Sequence, residues 1–308
     1  MNPSRAILLK LGSVIAFVTL QALVKATADH VPPGQAVFFR SFFALPVILI
    51  WLHFDGGLAK GFRTSNPIGH VWRGLMGALA MGLSFAALGL MPLPEANAIL
   101  YAGPILVVIF AAMFLNEKVG VFRLATVVIG MIGVLIILSP RLRLSTGGGL
   151  HHAESLGAIL ALMSAVFAAL AQIFVRKLVE TERAGTIVLY FSLTGSALSL
   201  LTLYFGWVVP SPREAALLVL AGLVGGLGQG LLTSAYRYGD ASLVAPFDYA
   251  SMLLAIIIGY TIFSEVPTQH TLIGAAIVVA AGIAIILRER HLGAKRTKQR
   301  RVLTPGGQ

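Results

Sequence analysis

The block from Gly74 to Glu117 returns without a gap 148 positions later as Gly222 to Glu265, with twelve of 44 aligned positions identical. The matched pairs include Gly74/Gly222, Gly77/Gly225, Gly82/Gly230, Tyr101/Tyr249 and Glu117/Glu265. Shared apolar composition accounts for some matched leucines and alanines. It does not account for glycines, a tyrosine and a glutamate held in one register. The chain is therefore read as a duplication of one structural unit.

The environment of that unit is lipid. A chain of 308 residues that is 57% hydrophobic and 11% charged, with a mean hydropathy of +0.88, is too apolar for a soluble domain. Its apolar runs have the roughly 20-residue length a helix needs to cross a bilayer, whereas a β-barrel reads as shorter alternating segments. Ten spans are predicted, at 7–28, 35–54, 71–90, 94–115, 120–139, 155–175, 185–207, 214–236, 242–263 and 269–288. Five fall in each half, and an odd number sends the second half through the membrane in the opposite sense to the first. The expected fold is an all-α integral membrane protein with ten transmembrane helices in two inverted five-helix repeats, an arrangement suited to alternating access. Its expected divisions are a first repeat at 1–139, a linker at 140–154 containing Gly147, Gly148 and Gly149, a second repeat at 155–288 and a basic tail at 289–308.

The formal net charge is +11, of which the last 21 residues supply +6. If the N-terminus is cytoplasmic, 18 of the 23 basic residues flank the inner ends of the spans, Lys10 and Arg73 being counted among them. Both termini are therefore expected in the cytoplasm, and nucleic acid is excluded as a partner for a body of this kind. The stretch from Arg5 to Ala28 imitates a secretory signal. It is read as retained, because its removal leaves four spans facing five. With no cysteine there is no disulfide, thiolate metal site or cysteine nucleophile. His151 and His152 lie in the linker without a ligand set, no loop is built to cradle phosphates, and no metal or cofactor is expected.

Gly222, Gly226 and Gly230 share one helix face, as do Gly74, Ala78 and Gly82. Small residues let helix backbones approach closely, either within a monomer or between the copies of a homodimer. Pro46, Pro104 and Pro246 interrupt the hydrogen-bond ladders of their spans, which bends them or frees carbonyls at a site.

The chain resembles the drug/metabolite transporter superfamily, specifically its EamA-type bacterial members with ten helices. The resemblance covers nearly the whole chain. It is carried by the duplication, by Lys25 closing the first span, by Phe38-Phe39-Arg40-Ser41-Phe42, and by Leu93-Pro94-Glu95-Ala96 leading to Tyr101 and Pro104. Leu115-Asn116-Glu117 and Phe263-Ser264-Glu265, at equivalent span ends, complete it, whereas Ala16-Phe17-Val18 stands where a tryptophan-glycine pair is common in the family. The resemblance implies a carrier of small solutes with a central cavity, often an exporter, in a bacterial cytoplasmic membrane. Its substrates range from amino acids to nucleosides, vitamins and amphiphilic drugs.

Polar residues inside spans are the candidate functional groups, because a charge near mid-bilayer costs at least about 2.5 kcal/mol on insertion scales. Asp248, between Pro246 and Tyr249, can carry a proton, meet a substrate amine or form a structural pair, for instance with Arg237. Arg40 and Lys25 can present positive charge to an outward-facing vestibule, although Lys25 can equally snorkel to the headgroups. Tyr101 and Tyr249, with Gln21, Asn97, Gln172 and Gln229, are expected to line the cavity or to pack in the core. Glu117 and Glu265 are expected to cap the helices that follow them, and Glu95 to cap its span or pair with Arg40.

The function so implied is secondary transport of a small, amphoteric, amino-acid-like solute by alternating access, as an exporter, proton-coupled or by exchange. The expected partners are the small-molecule substrate, protons and membrane lipids. A vitamin, nucleoside or drug carrier of the same fold is the alternative within transport. A membrane sensor or assembly partner and a lipid-modifying intramembrane enzyme are the alternatives outside it, and the spans offer no facing nucleophile and base for the enzyme.

Overall fold

The computed structural model describes residues 3–55, 57–114, 121–140, 149–238 and 245–303. In chain order the helices are α1 Pro3–Lys25, α2 Pro33–Phe42, α3 Leu45–Phe54, the single turn α4 Leu58–Gly61, α5 Pro67–Leu90, α6 Leu93–Leu100 and α7 Ala102–Phe114. They continue as α8 Val121–Leu138, α9 Gly149–Leu178, α10 Ala184–Leu200, α11 Pro212–Tyr238, α12 Ala250–Phe263 and α13 Gln269–Leu303. Short 3-10 turns at Leu201–Phe205 and Ala245–Tyr249 follow α10 and precede α12. The described residues are helical or in turns, with no strand among them.

Seven stretches are long and apolar enough to cross a membrane: Ser4–Lys25, Pro33–Phe54, Pro67–Leu90, Leu93–Phe114, His152–Leu178, Ala184–Phe205 and Pro212–Ala235. Leu124–Leu138, Phe247–Phe263 and Gln269–Ala284 are apolar but shorter. Large apolar side chains such as Phe54, Val121, Leu253, Ile257 and Tyr260 face outward, as a lipid solvent requires.

Proline chemistry sets the breaks. Proline lacks the N–H of a helix interior but suits the first turn, so helices restart around it. Pro46 stands in the first turn of α3, and the second span is split over Phe43 and Ala44. Pro94 opens α6, which ends at Tyr101, and Pro104 lies in the first turn of α7. Pro246 falls in the 3-10 turn before α12. The fourth span and the one bearing Asp248 are therefore both interrupted at the matched tyrosines, Tyr101 and Tyr249.

The packing follows the duplication. α1 packs along α11 and α5 along α9, and the 148-residue register carries the first pair onto the second. The pairs α2 with α10 and α8 with α13 are each carried onto themselves. The glycine stripe of α11 serves this internal packing. A methyl at Gly222 would sit 2.5 Å from Phe43 Cβ and 2.7 Å from the Phe39 carbonyl, and one at Gly226 would sit 3.0 Å from the Ala44 carbonyl. Only glycine lets α11 lie this close to the α2–α3 break.

Candidate functional site

The two matched tyrosines meet where their helices break. Their ring centroids are 5.4 Å apart at 60°. Tyr101 Oη lies 2.6 Å from Ser251 Oγ, and Ser251 Oγ donates to the Asp248 carbonyl at 2.7 Å. A serine has one proton to give, so the Tyr101 phenol is the donor to Ser251. This chain ties the end of α6 to the start of α12. The Tyr249 hydroxyl rests against the backbone of Gly282 on α13, where any Cβ would collide with it.

Beside this layer stands an ion pair, Lys10 Nζ to Asp248 Oδ1 at 2.6 Å, with the lysine side chain 2% exposed and the aspartate 51%. Among the described residues the partner of Asp248 is Lys10 on α1. Arg237, named as a structural partner from sequence, has no described side chain. Sequence reasoning placed Lys10 among the flanks. The missed signal was its position as the fourth residue of the apolar run that opens at residue 7.

At the far end of α1, Lys25 is held in a network of its own. Its ammonium pairs with Glu265 Oε1 at 2.9 Å and donates to the carbonyls of Leu88 at 2.9 Å and Met91 at 2.8 Å. Glu265 Oε2 accepts the Leu93 N–H at 2.8 Å, so it caps α6 across the molecule. The following helix, α13, is instead capped by Thr268, whose hydroxyl accepts the Thr271 N–H. Glu265 is aimed this way because Ser264 adopts a left-handed conformation (φ 55°) and the Glu265 N–H turns back to the Gly259 carbonyl. Glu117, its repeat partner, lies outside the described residues.

Arg40 on α2 is 4% exposed. It does not pair with Glu95, whose buried carboxylate instead receives the Thr271 hydroxyl at 3.4 Å. The Arg40 guanidinium carbon lies 5.3 Å from the centroid of the Phe191 ring on α10, and that of Arg73 on α5 lies 4.1 Å from the same centroid. Two like charges several ångströms apart repel by roughly 2 kcal/mol at an effective dielectric of about 20. Arg40 Nη1 and Arg73 Nε and Nη1 are buried without a hydrogen-bond partner among the described residues. Arg73 was also read as a flank. α5 begins at Pro67, four residues before the predicted span, and this places Arg73 in its second turn.

Of the amides, Asn97 donates to Gln21 Oε1 at 3.0 Å and to the Leu93 carbonyl at 3.2 Å, joining α6 to α1. Gln229 is half-buried on α11. Gln172 is exposed on α9, without a hydrogen-bond partner among the described residues. Two cavities lie away from the tyrosine layer. An apolar crevice of about 220 Å³ is lined by Val24, Ala28, Val31, Ala36, Phe85 and Leu90. A polar one of about 420 Å³ is lined by Lys60, Arg63, Thr64, Ser65, Glu182 and Arg183.

Glu182, between α9 and α10, latches the loop before α5. Its Oε1 accepts the hydroxyls of Thr64 (2.7 Å) and Ser65 (3.0 Å) and the backbone N–H groups of Ser65 (2.7 Å) and Asn66 (3.0 Å). Burial alone would raise its pKa, but these hydrogen bonds outweigh burial and hold it below the usual carboxylate range.

The sequence profile of the EamA-like transporter family matches residues 4–139 and 155–288. The pseudopaline exporter CntI of Pseudomonas aeruginosa (strain UCBPP-PA14) is 34% identical over 288 residues, 90% of this chain and 96% of the exporter. An S-adenosylmethionine uptake transporter of Rickettsia felis is 30% identical over 258 residues, 83% of each chain. A riboflavin transporter of Rhizobium johnstonii is 30% identical over 294 residues, 94% of each. One crystal structure, 22% identical in sequence, shares the fold with a TM-score of 0.65 over 94% of this chain and 99% of that one.

Proposed function

Because the chain belongs to the EamA-like transporter family and is a multi-pass membrane protein, a transporter of a small metabolite, we propose that its solute is amphoteric and crosses the bacterial cytoplasmic membrane by alternating access around the Tyr101–Tyr249 layer. The observation that carries this reading is the Lys10–Asp248 pair. It places a half-open carboxylate, with its counter-ion buried, beside two helices broken at the same repeat position. A solute amine or a proton can take the place of Lys10 on that carboxylate, and the exchange then links occupancy of the site to the seating of α1. The packing pairs related by the 148-residue register support ten helices in two inverted repeats, 1–139 and 155–288, joined by a linker at 140–154. The charge distribution supports cytoplasmic termini, with 289–308 as a basic tail. In that orientation the Lys25–Glu265 clasp closes the outer side, and Gln21, Asn97 and Gln229 border the path.

Uptake and counterflow by the purified protein in liposomes test the proposal, with amino acids, peptides, amines, flavins and nucleosides as solutes at two pH values. Selective exchange of an amphoteric solute, reduced at least tenfold in Asp248→Asn, is expected. Unchanged, pH-independent exchange in that variant removes Asp248 from the cycle, and product formation in place of exchange identifies an enzyme. The tilted tyrosine pair favours a second reading, a planar aromatic solute, which the flavin and nucleoside arms separate.

A further inference from the structure

We propose that Arg40 and Arg73 together form an anion subsite of this carrier, holding a doubly negative acidic end of the solute, either two carboxylates or one phosphate, above the ring of Phe191. The inference deepens the reading of an amphoteric solute and rests on it. It adds a second arginine that sequence reasoning had counted among the residues flanking the spans.

The first support is a surplus of donors. Arg40 Nη1 and Arg73 Nε and Nη1 are buried without partners among the described residues, as are the hydroxyls of Ser41 and Ser192, the sequence neighbours of Arg40 and Phe191. Buried polar groups in folded proteins are nearly always hydrogen-bonded, so a group of donors with no acceptor points to an acceptor that arrives from outside. Phe191 offers its π face to both guanidinium groups. It leaves their in-plane N–H groups unmet, and those are the groups with which arginine grips carboxylate and phosphate.

The second support comes from the duplication. Gly77 and Gly225 occupy the same repeat position, and each lies under one of the two arginines. A methyl at Gly77 would collide with Arg73 Nη1 and with the Phe191 ring, and one at Gly225 would sit 2.6 Å from Leu20 Cδ1 and 3.3 Å from Arg40 Nε. Both copies of this position therefore border a guanidinium, at Gly225 together with Leu20.

The third support is charge. Lys10 and Lys25 each face a carboxylate, Asp248 and Glu265, whereas Arg40 and Arg73 form no ion pair among the described residues. Two uncompensated cations remain within the spans, where charge is expensive unless neutralised, and a dianion neutralises both.

The test uses the full-length protein in detergent and follows thermal unfolding with succinate, glycerol 3-phosphate, uncharged succinamide, and sodium chloride at matched ionic strength. Ligands that bind the folded state raise its apparent stability. Succinate or glycerol 3-phosphate should stabilise the wild type where succinamide and chloride do not, and the responding probe tells carboxylates from phosphate. In Arg40→Gln and Arg73→Gln the apparent affinity should fall at least tenfold. Without ligand, Arg73→Gln should be at least as stable as the wild type, because a buried uncompensated cation is gone. A merely structural arginine gives the opposite pattern: loss of stability with the anion response unchanged. Gly77→Ala, which displaces the Arg73 guanidinium without removing its charge, should also weaken the anion response, and it decides the matter if Arg73→Gln does not fold. No stabilisation by either anion, or stabilisation equal in wild type and variants, overturns the subsite. Arginine-dependent stabilisation without any transport in liposomes leaves the subsite standing and removes the carrier reading. Transport at equal rates in wild type, Arg40→Gln and Arg73→Gln does the reverse.

Discussion

Lys10 and Asp248 lie 2.6 Å apart between α1 and the 3-10 turn that precedes α12, one end of the pair buried and the other half open. Removing one partner of a buried pair costs about 3–5 kcal/mol because it strands a charge, and the exposure of Asp248 lowers that figure here. Asp248→Ala is expected to destabilise the protein by about 2 kcal/mol in thermal unfolding in detergent. The double variant Lys10→Met/Asp248→Asn should recover most of that loss while remaining inactive in transport. Recovery of transport in the double variant would show that the pair only holds α1 in place.

The Lys25–Glu265 clasp fastens α1 to α12 at their other ends and also seats the start of α6. Glu265→Gln keeps an acceptor for the Leu93 N–H but removes the charge that holds Lys25. The apolar crevice beside the clasp should then open. The chain has no cysteine, so Ala36→Cys, 2% exposed at the crevice wall, supplies a clean reporter. Its maleimide labelling rate should rise several-fold in the Glu265→Gln background. An unchanged rate would mean that the clasp is not what closes that side.

The all-helical membrane architecture was legible from sequence, and the duplication relates parts of its packing. The pairing of α1 with α11 and of α5 with α9, and the breaks at Tyr101 and Tyr249, all follow one register. The partners of the charged residues were not legible. Lys10 and Arg73 fall in the first turn of apolar runs that open at residues 7 and 71, where a basic residue reads as a flank. But α1 and α5 start four residues earlier, at Pro3 and Pro67, and carry both residues deeper into their helices. Glu265 read as a local cap because sequence shows only its chain neighbours. Its real partners, Lys25 and the Leu93 N–H, are set by how distant helices cross.

Glu182 offers a pH test outside the spans. Its pKa is lowered by folding, so the stability it contributes is fully present above the unfolded carboxylate value of about 4.3 and is lost as pH falls through the lower folded value. Glu182→Gln should therefore unfold earlier than the wild type by about 2 kcal/mol at neutral pH, the scale of hydrogen bonds to a charged group. The gap should stay constant from pH 8 to about pH 5 and shrink only in more acidic solution. A gap that already shrank between pH 8 and pH 5 would contradict a latch held by the ionised carboxylate.

The glycines of α11 separate close packing from open space along one helix. Gly222→Ala drives a methyl into Phe43 and the Phe39 carbonyl and should cost about 1–3 kcal/mol as overpacking. Gly230, two face-repeats further on, has nothing within 4 Å of its would-be Cβ. Gly230→Ala should therefore leave stability unchanged or raise it by up to about 1 kcal/mol through helix propensity. Equal losses at both positions in thermal unfolding would contradict the close α11–α2 approach.

Gly282 and Tyr249 give a compensation test of the tyrosine layer itself. The Tyr249 hydroxyl occupies the space into which a Gly282 side chain would grow, and the ring carbon bearing that hydroxyl would be only 2.5 Å from the added methyl. Gly282→Ala must therefore push the ring toward Tyr101, whose phenol orders Ser251 and, through it, the turn that carries Asp248. The expected result is a loss of transport larger than the loss of stability, because the displaced element is the one that presents the carboxylate. Tyr249→Phe removes the nearest clashing atom but not the ring carbon, so Gly282→Ala/Tyr249→Phe should recover part of the lost stability, and Gly282→Ala/Tyr249→Leu should recover more. Transport should return in neither double variant if both phenols belong to the site. Stability measured in detergent and exchange measured in liposomes on the same preparations separate the two effects, and full recovery of exchange with leucine at position 249 would reduce Tyr249 to a packing residue.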